Sequence, residues 1–233
     1  MVDYCVKSAI SNGSMSVKDL ISYAERNNIK QLGIVELEEI PEQVSSPNIN
    51  VVYGTEILSD NLDLSVVVFD IKNANDLQSM IADNKIQNQK CLISCLKKIL
   101  NNSPIFENYL KSNSFLSINK AVSFLIKLGV CKDFKSSIQL LYNNNAVIRP
   151  DIFNQIKSFC NCGNIFLKSN NYNFVIDNFD KIIKQNLFGI LICEKINDNQ
   201  HKNLLNLCNA NNLSLLLGTG FDNHKTGDII GVK

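Results

Sequence analysis

The sequence predicts an α/β protein in which parallel strands form a closed or nearly closed layer, with a block of helices inserted between its two halves. Short apolar strands alternate with amphipathic helices in residues 1–72 and again in residues 146–233 of the 233-residue chain. Residues 73–145 instead repeat their apolar positions at helical spacing. Because alternating strands and helices are typical of parallel sheets, we expect one barrel-like domain whose carboxyl-end face is capped by the helical insertion.

The N-terminal segment contains the strand, loop and helix with which the barrel would begin. Apolar and polar residues alternate from Val2 to Val6, and residues 11–13, Ser-Asn-Gly, have turn chemistry. Ser16 and Asp19 then form an S-x-x-D helix start. In α/β proteins the loop after a strand carries polar groups while the scaffold fixes the strand. We therefore expect this first loop to lie on the functional face.

The remaining elements follow in order. Further strands are predicted at residues 31–35, 50–53, 62–69, 164–167, 188–193 and 213–217. Helices of the barrel are predicted at residues 150–160, 174–185 and 199–211, and those of the insertion around residues 86–100, 118–128 and 134–141. Each late helix connects two strands, so we expect the strands to run parallel.

Composition indicates a globular, cytoplasmic protein. Hydrophobic residues make up 45% of the chain, and the net charge of +1 provides no overall basic field, so there is no strong nucleic-acid signature. No apolar run approaches the roughly 20 residues of a membrane span, and no apolar signal core is present, so no membrane partner is expected. None of the eight cysteines forms a C-x-x-C pair, so we expect reduced thiols.

Residues 1–13 resemble the opening motif of the PHP family, the polymerase and histidinol phosphatase superfamily, which reads M-I-D-L-H-T-H-S-x-x-S-D-G. The matching positions are Asp3, Ser8, Ser11 and Gly13. Cys5 and Lys7 stand at the two metal-binding histidines of the motif, and Asn12 stands at its aspartate. An ammonium group has no lone pair to donate to a cation. The resemblance therefore implies a metal site that has been largely lost.

Later segments resemble the other PHP motifs in the same order. The acidic loop of Glu36, Leu37 and Glu38 stands at the T-D-H-D motif, with leucine in place of the histidine. The remaining correspondences are Gly54-Thr55-Glu56 with G-x-E, Asp63 with the histidine of E-I-H-x-L-G-Y, Lys168 with the histidine of A-H-P, and Asp222 and His224 with the D-x-H of T-G-G-S-D-F-H. The resemblance implies the distorted (β/α)7 barrel of the family.

Residues 117–138 resemble the insertion of one PHP subgroup, whose pattern is near R-P-H-I-A-x-x-L-V-x-x-G. Leu125 and Gly129 match this pattern, whereas Asn119 and Lys120 replace its proline and histidine. The subgroup contains bacterial 3′,5′-nucleotide phosphatases and 5′-to-3′ exoribonucleases. The resemblance therefore implies a bacterial, nucleotide-directed phosphoesterase ancestry.

The candidate site residues fall into three groups by what they offer a cation. Unchanged metal-ligand or catalytic candidates are Glu56, Asp222 and His224, and altered positions that still offer oxygen are Glu36, Glu38 and Asp63. Degenerate positions are Cys5, Lys7, Asn12, Leu37, Lys120 and Lys168. We expect the three lysines to neutralise the carboxylates in place of the metal, or to bind phosphate.

Three functions remain open at this point. The first is a catalytically inactive PHP pseudoenzyme that serves as a binding or interaction module without a cofactor. The second is a divergent phosphoesterase for nucleotides or short RNA that uses Mn, Mg or Zn through Glu56, Asp222 and His224. The third is a domain that binds a nucleotide or phosphate without cleaving it. Metal content separates the first two, and nucleotide binding identifies the third.

Overall fold

The structure, a computed structural model, describes residues 2–10, 13–58, 64–112, 116, 118–144, 146 and 151–219, without the side chain of residue 119. The described chain divides into two compact units. The barrel unit comprises the described residues of 1–81 and 150–233, and the helical unit comprises those of 82–149. Domain boundaries at residues 72–73 and 145–146, and a cap over the barrel, stay predictions.

Seven strands form the sheet of the barrel unit and are hydrogen-bonded in their order along the chain. They are β1 Val2–Val6, β2 Gln31–Leu37, β3 Asn50–Leu58, β4 Leu64–Phe69, β5 Asn164–Ser169, β6 Gly189–Ile192 and β7 Ser214–Leu217. Beyond β7, the amide and hydroxyl of Thr219 donate to the Asp3 carboxylate of β1 at 3.0 and 2.5 Å. The predicted mixed α/β, nearly closed barrel is thus confirmed, whereas its assignment to the PHP type stays a prediction.

The prediction that all strands run parallel is wrong for β4. This strand pairs antiparallel with β3 and with β5, whereas the other neighbouring pairs are parallel. Only residues 59–63 connect β3 to β4, and a parallel connection needs about a dozen residues or more. As a result, the start of β4 lies beside the carboxyl end of β5, with Leu64 opposite Ser169.

Most helices begin and end close to the predicted positions, with three exceptions. They are α1 Val17–Arg26, α2 Ala74–Ile99, α3 Pro104–Lys111, α4 Ile118–Lys127, α5 Phe134–Asn143, α6 Ile152–Phe159, α7 Tyr172–Asp177, α8 Phe179–Ile182 and α9 Asp198–Ala210. Ser16 caps α1 by accepting from the Asp19 amide. The helix predicted around residues 86–100 begins twelve residues earlier, at Ala74, as α2. The single helix predicted at residues 174–185 is divided at Asn178 into α7 and α8, and no sequence pattern predicts α3.

Alternation along the strands separates two apolar layers of the barrel unit. Inside the barrel, a buried cluster comprises Cys5, Val35, Val67, Phe69, Phe166 and Leu191. Outside it, residues such as Val66 and Val68 pack in a cluster with Ile156 of α6 and Leu204 of α9. Side chains two positions away share a face of the strand, so Ser65 and Lys168 lie on the inward faces of β4 and β5, next to Val67 and Phe166. The inner apolar layer therefore continues into polar residues.

The helical unit has its own core, formed by the later part of α2 together with α3, α4 and α5. Its buried residues include Leu92, Leu96, Phe106, Leu125 and Leu141. No helix in the described part of the chain is long and apolar enough to cross a membrane.

Candidate functional site

Glu56 of β3 is the centre of a buried cluster of charged side chains in the barrel. Its Oε1 accepts hydrogen bonds from the Lys168 ammonium and from the Ser65 hydroxyl, both at 2.7 Å. Its Oε2 forms an ion pair with the Lys7 ammonium at 2.8 Å. The three partners come from β4, β5 and the loop after β1. We call Lys7, Glu56 and Lys168 the ion triad; it joins parts of the chain more than 100 positions apart.

Burial would raise the pKa of Glu56, but the charges and hydrogen bonds of Lys168 and Lys7 outweigh that effect and lower the pKa to about 2. Burial by itself would lower the pKa of Lys168, but neighbouring groups, including Cys5 and Glu56, raise this pKa well above its ordinary value. Both residues are therefore charged at neutral pH. Leaving either of them buried without its partner would carry a large desolvation cost.

Two cysteines adjoin the ion triad. Cys5 lies in the interior cluster, and Cys193, just after β6, packs against that cluster. A hydrogen bond from Cys193 lowers the pKa of Cys5 against the effect of burial, with a further contribution from the Lys168 charge. The same hydrogen bond, together with burial, raises the pKa of Cys193. Cys5 and Cys193 therefore form a hydrogen-bonded thiol pair close to the Lys168 charge.

Three further carboxyl residues lie on β1, on β2 and just after β2. Asp3 is buried, and its Oδ1 accepts from the amides of Cys5 and Thr219 at 3.2 and 3.0 Å. Glu36 is buried in β2 and accepts from the Ser8 amide at 3.1 Å. Glu38 has a positive φ of 51° and donates its amide to the Glu56 carbonyl at 2.8 Å. Asp3 thus joins β1 to the segment after β7, and Glu36 orders the loop after β1.

The structure brings Cys5, Lys7 and Lys168 around Glu56, while other candidate residues lie elsewhere or outside the described part. Leu37 stands opposite Glu56 in the pairing of β2 with β3. Lys120 is an exposed residue of α4 in the helical unit. Asn12, Asp63, Asp222 and His224 lie outside the described residues. Whether the gathered residues form a functional site stays a prediction.

Sequence reasoning missed three polar contributors. Ser65 belongs to none of the motifs, although it stands two positions before Val67 on the inner face of β4. Cys193 follows an apolar strand and has no partner nearby in sequence, so only the closed barrel brings it to Cys5. Thr219 belongs to the segment that resembles T-G-G-S-D-F-H, but its contact with Asp3 requires β7 to return to β1.

The described residues do not fit a divalent metal cluster. Both carboxylate oxygens of Glu56 contact ammonium groups, at 2.7 and 2.8 Å, and ammonium groups cannot act as ligands. Within the described part of the chain, no group of three or more His, Cys, Asp or Glu side chains could hold a metal ion. A cation at Glu56 would have to displace at least one lysine.

Two solved structures share this fold. One, from Bifidobacterium adolescentis, is named a "putative metal-dependent phosphoesterase"; it aligns with a TM-score of 0.58 and 14% identity over 99% of this chain and 90% of that chain. The other is an amidohydrolase from Chromobacterium violaceum with bound sulfate and no metal; its TM-score is 0.59, with 13% identity over 95% of this chain and 87% of that chain. At these identities, the likeness establishes a shared barrel fold. Protein-family models and curated proteins give no match to the sequence.

Proposed function

We propose that this protein is a degenerate homologue of PHP phosphoesterases, of the nucleotide phosphatase and exoribonuclease subgroup, that acts as a binding module without metal-dependent hydrolysis. The observation that carries the proposal is the pairing of Lys7 and Lys168 with Glu56 at 2.8 and 2.7 Å. Glu56 stands at a family ligand position, and Lys7 and Lys168 stand at family histidine positions. The ion triad therefore lies among residues that would hold the metals in an active relative.

Electrostatics explains why such a replacement would persist. Carboxylates that evolved to face divalent cations repel one another once the metals are absent, and burial increases the cost. Ammonium groups supply the missing positive charge without an exchangeable ion. The depressed pKa of Glu56 is what such compensation produces.

A second function, binding of a phosphate or nucleotide without cleavage, is favoured by the charge of the ion triad itself. Two ammonium groups face one carboxylate, so these three side chains carry a net charge of +1. An anion could accept a hydrogen bond from the Lys7 ammonium, because the Lys7 side chain is the most exposed of the three at 12%. Like the binding module, this alternative involves no hydrolysis. It differs from the binding module in naming the ligand, which is a phosphate or a nucleotide.

Hydrolysis assays test the proposal. Purified protein would be incubated with a nucleoside 3′,5′-bisphosphate or a short RNA, in the presence of Mn²⁺, Mg²⁺ or Zn²⁺. We expect no turnover above background. Metal-dependent hydrolysis that is lost in Asp222→Ala and kept in the surface variant Asp180→Ala would contradict the proposal and establish the divergent phosphoesterase. Activity that persists in Asp222→Ala would come from a contaminant, and Asp180→Ala controls for the chemical change itself because it makes the same substitution at an exposed position.

A thermal-shift titration with the same nucleotides and with inorganic phosphate distinguishes the two non-hydrolytic functions. Stabilisation that is lost in Lys7→Met and kept in Lys202→Met, on the exposed face of α9, would favour anion binding at the ion triad. No shift with any of these ligands would leave the binding module as the better account.

A further inference from the structure

The turn between α4 and α5 exposes an unusual number of apolar side chains. Ile126, Leu128, Val130 and Phe134 are all exposed, with Val130 at 43% and Phe134 at 57%. They occur within nine consecutive residues. We call these four side chains the apolar tip. Single exposed apolar residues are ordinary, but a group of them on one turn indicates a contact surface.

The turn that carries the apolar tip has well-defined backbone geometry at both ends. Gly129 has φ 69°, its amide donates to the Ile126 carbonyl, and the Val130 amide donates to the Leu125 carbonyl, which together end α4 in a Schellman motif. Asp133 then begins α5 with a capping box to Ser136. Because the turn is already ordered, a partner would not have to fold it.

Lysines are interspersed with the residues of the apolar tip in the sequence. Residues 126–135 contain three lysines, Lys127, Lys132 and Lys135, and one acidic residue, Asp133, so the segment has a net charge of +2. All three lysines are exposed. Asp133 is engaged as the cap of α5, where its carboxylate accepts from the Ser136 amide at 2.7 Å. The segment therefore combines exposed apolar groups with excess positive charge.

We propose that the apolar tip and its lysines dock the helical unit on a bilayer surface that carries anionic headgroups. Aliphatic side chains and Phe134 would enter the boundary between headgroups and acyl chains, while the lysine stems extend so that their ammonium groups reach phosphates. Charge complementarity favours anionic over zwitterionic lipid. Contact of this kind does not require a membrane-spanning helix.

A lipid surface fits these residues better than a protein partner does. Energetically dominant residues of protein interfaces are enriched in Trp, Tyr and Arg, whereas residues 126–135 contain none of these. Lysine next to aliphatic residues is instead the composition of segments that bind the membrane interface.

Vesicle co-sedimentation of the full chain tests the proposal. The probes are phosphatidylcholine vesicles with and without phosphatidylglycerol. We expect binding only to the vesicles with phosphatidylglycerol, weakening as salt is added because electrostatic attraction is screened over roughly 10 Å at 0.1 M. Lys127→Gln/Lys132→Gln should weaken partitioning roughly 25-fold, from about fivefold for each lysine. Leu128→Ser/Phe134→Ser should reduce binding to background.

Matched controls are Ile105→Ser and Lys111→Gln, which alter exposed residues of α3 in the same unit. Both should bind vesicles like the unaltered chain, and unchanged circular dichroism would establish that every variant is folded. Absence of binding to anionic vesicles by the unaltered chain would overturn the proposal. Self-association that is lost in Leu128→Ser/Phe134→Ser, without vesicle binding, would also overturn it and assign the surface to a second copy of the chain.

Discussion

The Lys168 ammonium lies 2.7 Å from Glu56 Oε1, although 112 positions separate these residues in the chain. The contact exists because β3, which carries Glu56, and β5, which carries Lys168, flank β4 in the sheet. Ser65 of the intervening β4 donates to the same carboxylate oxygen of Glu56. The charged pair is thus a product of barrel topology. Its energetic consequences can be measured separately from any function.

Replacing Lys168 should destabilise the barrel substantially. Lys168→Met leaves Glu56 buried with only Lys7 as a cationic partner, and breaking a buried ion pair from one side costs about 3–5 kcal/mol. Lys7→Met should cost less, because Lys7 is more exposed and Lys168 remains. Urea unfolding of both variants measures these losses. The control Lys202→Met, at an exposed site, should have a free energy of unfolding within about 0.5 kcal/mol of that of the unaltered chain. An equally small effect of Lys168→Met would mean that the ion pair between Lys168 and Glu56 is not formed.

Acid should weaken the fold through Glu56. Its pKa falls from 4.5 to about 2 on folding, so the stabilisation is fully present above pH 4.5 and is lost as pH falls towards 2. The shift corresponds to about 3 kcal/mol. Free energies of unfolding measured across this range should decline less steeply in Glu56→Gln than in the unaltered chain. Parallel curves would show that Glu56 titrates normally.

The closure of the barrel should depend on the absence of a side chain at Gly218. A Cβ at this position would lie 2.5 Å from the Cβ of Cys5, and 2.8 Å from its amide nitrogen. Gly218→Ala should therefore cost about 1–3 kcal/mol or more through overpacking. Gly129→Ala is the matched control: it meets no atom within 4 Å and carries only the strain of φ 69°, roughly 1 kcal/mol.

Thermal denaturation of both alanine variants provides the comparison. Gly218→Ala should have the lower midpoint. If Gly129→Ala has a midpoint as low or lower, the segment after β7 does not pack against β1 as described.

Local sequence patterns were sufficient to predict most elements of the barrel. Ser16 and Asp19 indicate the start of α1, alternation locates β1, and apolar runs locate the other six strands. The direction of β4 was missed because an apolar run has the same pattern in either direction. The short connection of residues 59–63 held the missing information, since it is too short for a parallel crossover.

The candidate site was harder to predict because its contacts are set by topology. Glu56 and both lysines stand in segments that resemble motifs at separate places in the chain. Ser65 belongs to no such motif, and only the neighbouring inner faces of β3 and β4 bring it to Glu56. Cys193 likewise reaches Cys5 only after β6, β7 and β1 have come together.

Calorimetric titration of Mn²⁺ tests the central claim, that the ion triad stands where a metal would be held. The unaltered chain should give no saturable binding up to millimolar Mn²⁺. Lys7→His/Lys168→His removes both ammonium groups and restores imidazole ligands at two positions, so saturable binding should appear if the variant remains folded by circular dichroism. Tight Mn²⁺ binding by the unaltered chain, unaffected by the double substitution, would contradict the claim.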